Sequence, residues 1–409
     1  MNYHADKLAR RGFLAGVLGG SAAYATGLLS RSSNFIALAQ DGNTGSVNVR
    51  DFGAKGNGKT DDTAAIQLAI DSVALQGGTV TIPSGIYLVS SPIFVRNNVS
   101  VVGSGIGNTI LKVLDNHNSD LIGVLRTPFG ESTINVYIAN LSLDGNRENQ
   151  EVGEHFGFYC GVEPDSPVSD YDIYVERVEA HHFTGYGFDP HELTTRLYLI
   201  NCISHHNGYD GFTLDGVIDS VISGCVSYEN DRHGFNIITN TRFSLFQHCI
   251  VHNNKGNGFT VQNGAEVNQI CNNMVYRNHG NGIYMAGVGN NTIINNYVNE
   301  NFAYGIQIRG CSRTSIIGNR LHSNSQRGNE QYNEIQLDDD GTTGSTQCMV
   351  ANNHVTCDGD IRAKYGINET PGTDEVAQSE NAFMSNAVFG AVVSNYNIGG
   401  KDSQRQANV

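Results

Sequence analysis

Six glycines recur at a near-constant interval. Gly187, Gly211, Gly234, Gly258, Gly282 and Gly305 are separated by 24, 23, 24, 24 and 23 residues. A chain with this period stacks identical turns instead of closing an ordinary globular core, because each repeat buries its apolar face only against its neighbours. The residues after each glycine alternate. The first and third are apolar, as in Phe188 and Pro190, Phe212 and Leu214, Phe259 and Val261, Ile306 and Ile308. The second and fourth are mostly polar: Asp189 and His191, Thr213 and Asp215, Thr260 and Gln262, Gln307 and Arg309. Period two marks a strand with one buried face.

Asparagines stand four residues before the glycines from the second rung on: Asn207, Asn230, Asn254, Asn278 and Asn301. Asparagine tolerates left-handed backbone and bonds neighbouring backbone, which suits a repeated corner. Cys202, Cys225 and Cys249, then Asn273 and Asn296, hold the position nine residues before the glycine. That spacing predicts an inward stack of thiols and no disulfide framework. The expected fold is all-β: a single-stranded right-handed parallel β-helix. Outward positions of successive coils, roughly 4.8 Å apart, then form a continuous surface.

The solenoid absorbs most of the 409 residues. Residues 1–39 read as a twin-arginine export signal: Arg10-Arg11 precede an apolar stretch from Phe13 to Leu29, and Ala37-Leu-Ala39 offers a cleavage site. This predicts a periplasmic or extracellular protein with no membrane attachment after signal removal. The β-helix domain is expected over residues 40–400 and a polar tail over 401–409, with a monomer as the expected state. The stretch Asp61–Ile70 reads as a capped helix that plugs the first coil. Coils are expected from about residue 77 to 323, with an excursion over 324–347. Asp338-Asp-Asp340 reads as a calcium-holding segment or a solvated loop, with the loop favoured, and the pairs His181-His182 and His205-His206 read as structural. A formal charge of −15 argues against a nucleic-acid partner, and a polyanionic substrate would need a local basic strip.

The first rungs carry the chemistry. Tyr186-Gly-Phe-Asp-Pro-His-Glu192 places a phenol, a carboxylate and an imidazole on one strand. Asp210 and Asp215 flank the next glycine, and Asp231-Arg232-His233 precedes the third. Removal of a proton α to a carboxylate needs a base, a group that neutralises the carboxylate, and a proton donor. His191 and Tyr186 can be base and acid on opposite faces of a sugar, Asp189 can orient the imidazole, and Arg232 can pair with the substrate carboxylate. No zinc spacing supports a metal centre, and the metal ligands are unknown.

These residues support a family resemblance. YGFDPHE (186–192), NDRHGFN (230–236) and LDGNREN (143–149) resemble the catalytic A-module of secreted mannuronan C5-epimerases, over about residues 47–400. GFTVQNG (258–264) and YGINETPGTD (365–374) are similar to it as well. The opening VNVRDFGAKGNGKTDD resembles the N-terminal cap of pectate-lyase-like β-helix proteins more widely. The resemblance implies alginate or a related polyuronate as substrate, conversion of mannuronate to guluronate, and calcium as cofactor. It implies Tyr186 and His191 as the acid/base pair, Asp189 as a catalytic partner, and Asp215, Arg232 and His233 as substrate contacts, with Asp210 beside them. One position departs from it. Where the family carries a catalytic lysine, Gly153-Glu-His-Phe puts Glu154, followed by His155. Glu154 and His155 are therefore expected beside the substrate, with His155, Arg147 or Arg232 as the replacement cation. Two other readings stay open: an alginate lyase that eliminates O4 at the same site, and a non-catalytic polysaccharide-binding β-helix.

Overall fold

The computed structural model describes residues 45–162, 168–372, 376 and 378–408. The export signal with Arg10, Arg11 and Ala37–Ala39 lies outside them, as do the last residues of YGINETPGTD. Among the described residues no helix is long and apolar enough to cross a membrane.

The strands form three parallel columns. Twelve short strands make one sheet, running from Ile93–Phe94 through Phe188–Pro190 to Ser394–Ile398. The other two columns are joined by the long strands Ile134–Asp144 and Asp170–His181. In the twelve-stranded sheet the register carries each repeat position onto the next coil, as in Phe212↔Phe235↔Phe259↔Ile283↔Ile306. Inward positions build the core: Phe188, Phe212, Phe235 and Phe259 stack with ring centroids 4.7, 4.6 and 4.8 Å apart.

The ladder glycines owe their place to space. A Cβ on Gly187 would meet Ser204 Oγ at 2.0 Å, and on Gly211 it would meet Ser227 Oγ at 2.2 Å. The asparagines bond the backbone of the neighbouring coil as expected, the Asn207 and Asn230 amides donating to Asn230 and Asn254 Oδ1, but they do not supply the left-handed residue. The left-handed residue at the corner is the one before each of them: His206, Glu229, Asn253, Arg277 and Glu300. The asparagines turn inward instead and form a ladder. Asn207 Nδ2 donates to Asn230 Oδ1 at 2.9 Å, and the relay runs through Asn254, Asn278 and Asn301 to Asn324. A buried amide is tolerated only when its donors and acceptors are matched, and stacking one amide per coil does this. In Asn254→Ala the Asn230 amide loses its acceptor, Ser227 O loses a donor, and Asn230 Nδ2 and Asn278 Oδ1 each lose one bond and keep another. Denaturant unfolding is expected to show a loss of about 2 kcal/mol; an unchanged midpoint would mean that the ladder contributes nothing.

The thiol stack forms as expected. Cys202, Cys225 and Cys249 are buried, and all eight cysteines are free. The plug helix spans Thr63–Val73 and buries Ile66, Ala69 and Ile70. Its two aspartates divide the work: Asp61 Oδ1 accepts from the Thr63 amide at 3.0 Å, while Asp62 accepts from the amides of Lys55 and Gly56.

The coils extend further than the glycine ladder. Parallel pairing begins at Gly45–Asn48, and the supposed excursion contains the strand Ile335–Asp338, which pairs with Ile306–Arg309. Here Glu334 holds the glycine's place, and longer corners hid the period. The supposed polar tail carries a last strand, Gln404–Gln406, paired with Ala382–Met384. The histidine pairs are structural. His181 and His205 stack at 5.2 Å, and the row continues through Tyr228, His252 and Tyr276.

Candidate active site

The outward row of the twelve-stranded sheet is the floor of a groove. Its residues in coil order are Arg126, Tyr159 and Asp189, continuing through Thr213, Asn236 and Thr260 to Tyr284 and Gln307. The first six are nearly covered, at 2–6% exposure, so the floor is sunk between flanking loops. Tyr186 enters from one end of the strand Phe188–Pro190 and His191 from the other.

His191 is held by two carboxylates. Nδ1 contacts Glu192, and Nε2 lies 3.3 Å from Asp215 Oδ2. On its ring face it stacks on Tyr159, centroids 5.5 Å apart. Asp189, the expected orienting group, makes neither of these contacts. The strand ends at Pro190, so Asp189 stays in the floor row while His191 leaves it. Burial, with the carboxylates of Asp215, Asp210 and Glu192 around it, pushes Asp189 well above the usual carboxylate range. A carboxyl so placed holds its proton to higher pH than a free one, and in that form it can donate a hydrogen bond. Burial also raises Asp215, with Glu192 adding to the rise and His191 opposing it.

At the other end, burial and the charges of Asp189 and Asp210 push the Tyr186 phenol up to about 12. It keeps its proton at neutral pH and can give it to a substrate carbanion. Arg232 Nη1 lies 3.4 Å from the Tyr186 oxygen and Arg232 Nε 3.5 Å from Asp210 Oδ1. Asp210 itself is fully buried. It accepts from the His233 amide at 2.8 Å and from Asn236 and Thr213, which makes it an anchor beneath the site and no direct substrate contact. His233 Nδ1 accepts from the Asn257 amide, so a neutral ring carries its proton on Nε2. Burial lowers its pKa and keeps it neutral. The segment Asp231–His233 is clamped from outside, since Arg147 Nη2 and Lys255 Nζ both lie 2.7 Å from Asp231.

The departing segment splits. Glu154 is exposed and accepts from the Tyr209 hydroxyl at 2.7 Å, beside the rings of Tyr186 and Tyr209, whose centroids are 5.0 Å apart. His155 is fully buried, between His117 Nδ1 at 3.2 Å and Thr184 Oγ1 at 3.2 Å, and cannot touch a substrate in the groove. The pairing of Leu121 with His155 turns its side chain inward. Burial, then the nearby His117, lowers its pKa. Sequence reading missed Glu192, although it stands in the same heptapeptide. It also missed Tyr209, which holds the same repeat position as Arg232, two residues before its glycine.

His191, Glu192 and Asp215 bring one nitrogen and two carboxylates within 4.8 Å of one another. Calcium takes six to eight oxygens, so this set does not fit it. A cavity of about 700 Å³ lies apart from this chemistry, around Arg147, His182, His206, Asp231 and Lys255. The open trough, in contrast, is where Tyr186, Asp189 and His191 come together.

A β-helix with such a groove defines a pectate-lyase-like protein. Residues 46–158 match the family model described as rhamnogalacturonase A/epimerase, pectate lyase-like, and residues 168–285 match the one described as right handed beta helix region, which gives the expected hand. The chain belongs to the mannuronan C5-epimerase A-module family. It is similar to the A-module structure of mannuronan C-5 epimerase AlgE6 from Azotobacter vinelandii, with 34% identity, TM-score 0.80, and 88% of this chain and 98% of that one covered. The AlgE4 A-module matches with 32% identity and TM-score 0.80, over 88% of this chain and 99% of that one. Among curated proteins of the same organism, mannuronan C5-epimerase AlgE2 and alginate lyase 7 are each 46% identical over 202 residues, 47% of this chain. These matches cover 20% and 24% of those two proteins, so the chain spans about a fifth to a quarter of the curated relatives' length.

Proposed function

We propose that this protein is a mannuronan C5-epimerase that acts on mannuronate residues within alginate. The observation that carries the reading is His191 seated between Glu192 and Asp215, across the groove floor from a protonated Tyr186 beside Arg232. His191 takes the C5 proton through Nε2, the nitrogen with the looser 3.3 Å contact. The two carboxylates then stabilise the imidazolium. Charge moves into the substrate carboxylate, where Arg232 and the neutral Asp189 stabilise it. Tyr186 returns a proton to the opposite face and the sugar inverts.

Elimination of O4 shares the first step, and it is a second reading because a relative named alginate lyase is as similar as the epimerases. Incubation with polymannuronate, followed by proton NMR and absorbance of unsaturated uronide, decides between them. Guluronate signals without absorbance are expected. Rising absorbance makes the protein a lyase, and binding with neither product makes it a binding module.

Calcium and export belong to the same proposal. No step is assigned to calcium at the His191 cluster, which suits it poorly. Dialysis against a calcium-selective chelator is expected to abolish turnover and calcium to restore it; full activity in chelator would remove calcium from the account. Fusion of residues 1–39 to a reporter is expected to give twin-arginine-dependent export.

A further inference from the structure

The mechanism leaves one groove cation unused. Arg126 is 4% exposed and stands on the floor two coils before Asp189. Its guanidinium packs between Phe129, 3.7 Å from the ring centroid, and Tyr159, at 4.6 Å. Tyr159 stacks in turn on His191, so one aromatic ring separates Arg126 from the imidazole. Nε donates to Thr127 O and Nη1 to Ile122 O, but Nη2 is buried with no hydrogen-bond partner among the described residues. The nearby Asp170 turns its oxygens to the amides of Thr133 and Gly161. A buried guanidinium with an unused N–H and, among the described residues, no ion pair is costly unless something completes it. Two backbone bonds fix the fork, and the third direction is left for an anion.

We infer that Arg126 binds the carboxylate of a uronate residue adjoining the one that reacts, and so defines a subsite on the N-terminal side of His191. Phe129, 48% exposed, is the cover that turns aside to admit the sugar. This assignment rests on the polyuronate reading above. It also answers the Glu154 departure. The floor keeps a cation in the coil before the one that carries Glu154, and the substrate is gripped by its neighbouring residue.

The test compares wild type with Arg126→Met, which keeps the stem and removes the charge, and Arg126→Lys, which keeps the charge and loses the fork. KM for polymannuronate is expected to rise about 10- to 100-fold in the methionine variant with kcat nearly unchanged, and to rise less in the lysine variant. Calorimetric titration with a mannuronate tetramer should show the same loss. A lower Tm with unchanged KM and unchanged tetramer affinity would make Arg126 a structural brace and overturn the inference. If the methionine variant does not fold, the lysine variant decides, and wild-type KM in it overturns the subsite. If wild type turns over no polymannuronate, the titration still separates the claims. Tetramer binding that weakens in the variant keeps the subsite while the epimerase reading falls; no tetramer binding by wild type ends the subsite.

Discussion

His191→Ala is expected to lower turnover of polymannuronate by about 10²–10⁴-fold, the usual contribution of a positioned general base. The reason is local. Nδ1 faces Glu192, so the ring presents Nε2 away from it, and Asp215 lies ready to hold the imidazolium. The fold should survive, because His191 follows the end of the strand Phe188–Pro190 and packs on Tyr159 from the solvent side. The measurement is initial rate at saturating polymer, with circular dichroism and tetramer affinity as controls. A rate within tenfold of wild type would sink the assignment of the base. Loss of tetramer affinity in step with the rate would turn His191 into a binding residue.

The second large effect distinguishes two roles for Asp189. As a buried neutral donor it works through its O–H, which an amide N–H replaces. Asp189→Asn is therefore expected to keep activity within about tenfold, while Asp189→Ala loses about 10²–10³-fold. The pH profile supplies a sign. A carboxyl donates only in its neutral form, which exists below its pKa, so loss of this donor produces an alkaline fall in rate. Because burial moves Asp189 upward, that fall lies above the ordinary carboxylate range, and the asparagine variant should lack it. If Asp189→Asn is as dead as Asp189→Ala, the residue acts as an anion and the neutral-donor account is wrong.

The solenoid was legible because its period is carried by backbone space. Gly187 and Gly211 are needed where a Cβ would strike the serine of the next coil, so the count survives any change at the surface. The period broke where Glu334 replaced the glycine and the corners lengthened, and there the coils were undercounted. The residues of the site were legible too, but their contacts were not. Alternation places Asp189 and His191 on one side of a strand, yet the strand ends at Pro190, and His191 leaves the row to meet Glu192 and Asp215. His155 looked available because it follows Glu154, and only the pairing with Leu121 shows it turned inward. Arg126 carried no sequence signal. Its place on the floor depends on register across coils of unequal length, Arg126 onto Tyr159 onto Asp189.

The central claim is that this groove removes the C5 proton of a uronate and returns one from the other face. Turnover of polymannuronate in D₂O, read by deuterium content at C5 of the product, tests it most directly. The account predicts guluronate carrying deuterium at C5, and neither guluronate nor deuterium in His191→Ala. Guluronate that retains its original C5 hydrogen, or an unchanged rate of deuterium entry in the variant, would contradict it.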